Sequence, residues 1–179
     1  SANMRVVPGR LHTLSVIPSR DTVSADSTRQ FSANGFDIKG NTISLLGNLS
    51  WNVINPIGTI NSSGLFSAGK AGFGFIQAAS DLGVSGISDT ILVIPGKTNF
   101  IDVLPPEDIV AEQTSHPYLA YGYDADSNLV RNLTDSVVWT TTDTSGSITS
   151  GGLYTAGNQP SPPDYYVKAI YHGTLADSG

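Results

Sequence analysis

Three oxygen-bearing side chains recur at every second position in Asp124-Ala125-Asp126-Ser127-Asn128, and Asp135 stands at the twelfth position counted from Asp124. Hard cations such as calcium are bound by oxygen ligands at this kind of spacing, so the stretch is a candidate calcium loop through Asp124, Asp126 and Asn128. Two features oppose it. Leu129 stands where the loop requires glycine, and Asp135 replaces the bidentate glutamate. Asp and Asn are also ordinary turn residues, and the matching stretch Asp37-Ile38-Lys39-Gly40-Asn41 keeps only its first and last oxygen side chains. A plain β-turn and a calcium loop are thus both readings of the same five residues.

Other chemistry is sparser. Hydrolytic catalysis needs a base beside a nucleophile. The three histidines, His12, His116 and His172, fall in no such motif, and their spacing does not suit zinc. They are expected on the surface or at turns. With no cysteine, disulfides, thiolate metal sites and cysteine nucleophiles are excluded. The expectation is no catalytic residue and no cofactor, calcium apart. Exposed aromatics are the remaining candidates. Alternation along β-rich "SHPYLAYGYD" turns Tyr118, Ala120 and Gly122 inward and Leu119, Tyr121 and Tyr123 outward, with Tyr166 outward on another strand. Tyr123 matches Phe36 in an earlier stretch and reads as structural. Leu119, Tyr121 and Tyr166 could stack on sugar rings or meet a protein partner. Packing against neighbouring parts of the chain is the plainer alternative.

The elements that must position these residues are short strands. Of 179 residues, 39% are hydrophobic and 13% charged, with 19 glycines and 10 prolines. That mixture is enough for a packed core and reads as strands cut by turns. The net charge is −6, with no Lys/Arg cluster, so nucleic acid and anionic membrane are poor partners. No apolar run is long enough to span a bilayer, and no signal peptide is visible. The opening Ser1-Ala2-Asn3-Met4 reads as a remnant of cloning, with residues 1–11 as a lead-in.

The chain is a duplication. "GLFSAG" at Gly64–Gly69 returns as "GLYTAG" at Gly152–Gly157, 88 positions on. From Leu14 to Ser44 the offset is 87. Val16/Val103, Pro18/Pro105, Asp21/Asp108, Ala33/Ala120, Gly35/Gly122, Asp37/Asp124 and Asn41/Asn128 are identical pairs. One inserted residue then sets Trp51 against Trp139 and Ile60 against Ile148. Domain one is placed at residues 12–95, a linker at 96–99 and domain two at 100–179. About seven short strands per repeat, with turns every 8–12 residues, predict an all-β fold of two tandem β-sandwiches. Each repeat's single tryptophan, in "LSWNVI" or "VVWTTT", is expected to pack between the sheets. Ile76 and Ala78 in "GFGFIQAAS", and Val167 and Ala169 in "DYYVKAIYH", are expected inward. "SDTILVIP", which closes repeat one, aligns with "ADSG", so the second sandwich is expected to lack its last strand. Either the chain has been cut there or the strand follows in a longer parent. An open strand position of this kind invites pairing.

The pattern "L.V.P....V....T..F.A.G.D..GN.I", then "W.V......I...GLF.AG", then "DT..V.V", resembles the bacterial immunoglobulin-like domain of group 2 and invasin/intimin-type repeats. It covers nearly all of repeat one, and repeat two from Ile101 to about Ser178. The resemblance implies Ig-like sandwiches serving as extracellular spacers or adhesin stalks, or as accessory, carbohydrate-binding modules of secreted polysaccharide-degrading enzymes. It implies no catalytic residue. Partners would be neighbouring domains of the same polypeptide, polysaccharide or a host surface protein, at a cell surface or after secretion.

Overall fold

The computed structural model describes residues 2–159 and 165–172, and the strand pairing of 175–178. Ser1, Asp164 and Gly179, which figure in the expectations above, lie outside the described residues. The chain divides into two compact units, Ser1–Pro95 and Gly96–Gly179. Among the described residues there is no helix.

Unit one contains β1 (Thr13–Ile17), β2 (Asp21–Ser24), β3 (Thr28–Gln30), β4 (Ser32–Phe36), β5 (Thr42–Ile43), β6 (Leu49–Ile54), β7 (Gly58–Ile60), β8 (Leu65–Ala68), β9 (Gly72–Ser80), β10 (Ser85–Ile87) and β11 (Ile91–Ile94). Three sheets run in the orders β1-β4-β5, β3-β8-β7 and β10-β9-β11-β2, with β6 also on β9. Every pairing is antiparallel except β11 with β2, which is parallel. Alternation sends Val16, Phe31, Ile76, Ala78, Ile91 and Val93 into one core. At its centre the Phe31 and Phe66 rings meet edge to face, 6.1 Å apart at 82°.

Unit two repeats this order as β12 (Phe100–Leu104), β13 (Ser115–Pro117), β14 (Leu119–Tyr123), β15 (Leu129–Asn132), β16 (Val138–Thr141), β17 (Ser147–Ile148), β18 (Leu153–Thr155), β19 (Val167–Tyr171) and β20 (Leu175–Ser178). The sheets are β12-β14-β15, β13-β18-β17 and β16-β19-β20. Two strands of unit one, β2 and β11, have no counterpart among the described residues, and they are each other's parallel partners. Residues 108–111, matched to β2, carry no ladder. The strands outnumber the expected seven per repeat because single residues divide neighbouring pieces, Phe31 between β3 and β4 and Tyr118 between β13 and β14; a bulge at Gly122/Tyr123 shifts the register of β14 on β15.

The recurring hexapeptide has a geometric cause. Gly64 and Gly152 both sit at positive φ, +80° and +77°. Their carbonyls accept the N–H of Phe31 and Tyr118, each at 2.8 Å. A Cβ at Gly152 would lie 2.3 Å from the Tyr118 carbonyl oxygen and 3.1 Å from the Trp139 ring; at Gly64 it would meet Phe31 and Trp51 in the same way. The turn must therefore be bare at this point in both repeats. Gly152→Ala is expected to cost about 2 kcal/mol or more, from backbone strain plus the clash. Urea unfolding followed by Trp139 fluorescence checks this, and a loss under about 0.5 kcal/mol would show that the turn relaxes.

The tryptophans differ from expectation in degree. Trp139 is buried, and its Nε1–H donates to the Thr134 carbonyl at 2.9 Å. Trp51 is only half-buried. Leu133, just before Thr134, is buried in the same core as Trp139, whereas Leu46, which lies against Gly35 as Leu133 lies against Gly122, is only half-buried.

Segment 96–99, expected as a linker, is held by unit two. The Gly96 N–H donates to Asp124 Oδ2 at 2.7 Å, and the Asn99 N–H to the Tyr123 carbonyl at 2.7 Å. The lead-in to unit one is held likewise: the Gly9 N–H donates to Asp37 Oδ2 at 2.9 Å, and the His12 N–H to the Phe36 carbonyl at 2.8 Å. The offset of 87 thus reaches back to Pro8-Gly9-Arg10 and Pro95-Gly96-Lys97.

Candidate functional site

Asp124 is fully buried. Its Oδ1 accepts the N–H groups of Asp126 (3.1 Å) and Asn128 (2.8 Å). Its Oδ2 accepts the Gly96 N–H, and the Asn128 Nδ2 group lies 3.1 and 2.9 Å from the two oxygens. Burial pushes this carboxyl up, but the Gly96, Asn128 and Asp126 donors outweigh it and hold it below the usual carboxylate range. The arrangement is an Asx-type staple that closes a turn and anchors the incoming chain. A cation would have to displace N–H donors already on both oxygens. Asp126 and Asp135 are exposed, and among the described residues no three carboxylate or histidine side chains converge as a metal site. Asp37 makes the same staple in unit one, with Asn41, Gly9 and Lys39 as donors, and the Asn41 side chain chiefly holds its carboxyl far below the usual range.

The expected aromatic strip divides. Leu119 and Tyr121 share one face of β14, Leu119 partly exposed and Tyr121 half-buried. Tyr121 stands between Asp102 and Asn132 on the flanking strands, and Leu119 opposite Leu104. Tyr123 stacks on Phe100, 5.4 Å apart at 15°. Tyr166 lies elsewhere, on the wall of a cavity that neither Leu119 nor Tyr121 lines.

That cavity, about 890 Å³ within unit two, was not foreseen. Glu107, Asp108, Val110, Tyr118, Tyr154 and Tyr166 are among its walls. Beneath it, buried Asp143 accepts the Tyr154 hydroxyl at 2.7 Å, the Gly157 N–H at 3.1 Å, and the Ser145 N–H and hydroxyl at 2.8 and 2.9 Å. The Tyr154 hydroxyl is the main cause that holds the Asp143 carboxyl far below its usual range, against the opposing effect of burial. The Tyr154 hydroxyl is pushed up in turn, by burial first and then by Asp143. Tyr118 and Tyr154 keep the edge-to-face contact of Phe31 and Phe66, 6.2 Å apart at 77°. Unit two has thus added two hydroxyls to the same ring pair. It has also replaced the core plug Ile57 by exposed Ser145 and Asn55 by Asp143.

His116 is half-buried, pairs with Asp108 and meets the Tyr118 ring edge on, at 6.3 Å. Arg29 and Asp21 form the matching pair in unit one. The pair ties residue 108 to residue 116, as Asp21 is tied to Arg29.

No family model matches the chain. It is 26% identical over 145 residues to ice-binding protein 1 of Shewanella frigidimarina (strain NCIMB 400), covering 80% of this chain and 16% of that protein. Among solved structures it is similar to the Escherichia coli adhesin FdeC, with 17% identity, a TM-score of 0.47, and coverage of 97% of this chain and 66% of that one. It is also similar to the D00-D0 domain of intimin, with 12% identity, a TM-score of 0.42, and coverage of 92% and 96%. The chain is a duplicated all-β unit, and the solved domains it is similar to come from bacterial surface proteins.

Proposed function

We propose that the chain is a pair of non-catalytic Ig-like modules, serving as a spacer or adhesion stalk in a bacterial surface or secreted protein. One observation carries this reading. Asp124, the buried carboxylate of the candidate calcium loop, is taken up by backbone amides and the Asn128 side chain, and Asp37 makes the same staple on the chain entering the first repeat. A unit that spends its buried charge on anchoring the chain entering it is built to be strung with others. The resemblance to invasin/intimin-type repeats supports the same use, at a cell surface or after secretion, with neighbouring domains as first partners.

The purified pair is expected to pass unretained over cellulose, chitin, xylan and peptidoglycan, with or without calcium. Retention on one of these, lost in Tyr121→Ala, would replace the stalk by a carbohydrate-binding accessory module.

A further inference from the structure

The sheet of β6, β9, β10, β11 and β2 turns one face into the core of unit one and leaves the other uncovered. Strand pairing fixes what stands on the uncovered face. Leu92 is opposite Phe73 and Ile54 is opposite Phe75, and the two phenylalanines are neighbours on one side of β9. Ile94 continues the row along β11, and Ile87 flanks it on β10. Phe73 is 63% exposed, and Ile87, Leu92 and Ile94 are exposed with it. Single exposed apolar side chains are ordinary; a contiguous row on one sheet face marks a contact.

The polar positions of the same face carry the second observation. Thr22, Ser24, Ser50, Asn52, Gln77 and Ser85 stand around the apolar row. None of the outward side chains on these five strands is charged, in a chain with 9 Lys/Arg and 15 Asp/Glu. Unit two differs at the matched place, where Lys168 stands opposite Thr140 as Gln77 stands opposite Asn52. The uncharged face thus belongs to unit one.

Charge decides the occupant. At a net charge of −6, two copies of the chain repel one another on most approaches. In a two-fold contact a patch meets itself, so any charge on it faces its own like charge. A face cleared of charge removes that cost. Aromatic residues present and charged residues absent are also the composition of an interface core. A basic partner would be met by acidic side chains, and none stands on this face.

We propose that this face of unit one packs on the same face of a second copy, as a two-fold pair of sheets with Phe73 and Phe75 at the centre of the contact. The apolar row presents roughly 300–400 Å² and the whole face roughly 500–600 Å² per copy, less than the ~800 Å² per partner of a standard interface. The pair is therefore weak, forming between about 0.1 and 1 mM. Modules held close together on one surface need no tighter contact.

The test is sedimentation equilibrium of the chain at rising concentration, to about 1 mM. The weight-average mass should rise toward that of a dimer and level there. Phe73→Lys alters a side chain that is exposed in the free molecule, and should weaken association at least about tenfold by placing a charge in the apolar centre. Asn52→Asp keeps the shape and the apolar row, and should weaken it about threefold or more by setting like charges across the contact. Leu45→Asp, on a leucine still more exposed but outside these strands, should leave it unchanged. A chain that stays monomeric throughout overturns the proposal. Association unmoved by Phe73→Lys or by Asn52→Asp overturns it equally, as does an equal loss in Leu45→Asp, which would mean unspecific adhesion. A mass that climbs past the dimer without levelling overturns the two-fold pair in favour of an open, head-to-tail contact.

Discussion

Asp143→Ala is expected to remove about 3–5 kcal/mol from unit two. Four donor groups converge on this buried carboxylate, and truncation leaves the Tyr154 hydroxyl and the Gly157 amide without their acceptor at the floor of the cavity. A domain of this size holds roughly 4–12 kcal/mol in all, so the variant sits near its unfolding threshold at room temperature. Urea unfolding in a Trp51→Phe background, where Trp139 alone reports, measures the effect. Tyr154→Phe restores the residue that unit one uses and should cost only about 1–2 kcal/mol, since Asp143 keeps its other three donors. The double variant should cost less than the two singles together, by about 1 kcal/mol. A loss below about 1 kcal/mol in Asp143→Ala would mean that water reaches the carboxylate. The pH dependence has a definite sign. A carboxyl whose folded pKa lies below its unfolded value stabilises the fold fully above that unfolded value, about 3.9, and progressively less as pH falls below it. The wild-type midpoint should therefore drop steeply below about pH 4, and part of that slope should vanish in Asp143→Ala.

Alternation alone makes the inward residues legible. Val16, Val103, Ala120, Ile76 and Ala169 lie buried where period two puts them. The turns at Asp37–Asn41 and Asp124–Asn128 are legible because Asp and Asn close turns with their own side chains. The Asp143–Tyr154 pair was not, because Asp143 stands in a Thr/Ser run that reads as an ordinary turn and its partner is 11 residues away. A signal did exist. Phe31→Tyr118, Phe66→Tyr154 and Asn55→Asp143 are three changes toward polarity between matched positions, and buried hydroxyls must find acceptors. The dispersed aromatic candidates show the opposite limit. Alternation says that Leu119 and Tyr121 point the same way, but it is blind to Asp102 and Asn132 on either side, and to Tyr166 standing on another wall. The anchored segments escaped because one hydrogen bond from a glycine amide leaves no trace in hydropathy. Only the repeat register, carried upstream of Leu14, exposes Pro8-Gly9 and Pro95-Gly96 as the same element.

Asp124→Ala is the second severe substitution, expected to cost about 3–4 kcal/mol in unit two. The reason differs from that at Asp143. Here the donors are mainly backbone amides, from Gly96, Asp126 and Asn128, so the loss falls on chain path rather than on side-chain packing. Amide exchange should show it residue by residue: Gly96, Asp126 and Asn128 should exchange at least tenfold faster, an opening cost lowered by more than about 1.4 kcal/mol. Amides of β16 and β19 should change only with global stability. Asp124→Asn should fall between, because one amide oxygen can serve one side of the staple but not both. Calcium separates the two readings of this loop. If Asp124 is a staple, millimolar calcium leaves the unfolding midpoint of the wild type unchanged. A ligand held only by the folded state would raise it in proportion to the logarithm of its concentration. A calcium-dependent rise, abolished in Asp124→Ala, would mean that the N–H donors yield to the ion and that the oxygen spacing of the loop is chemistry after all.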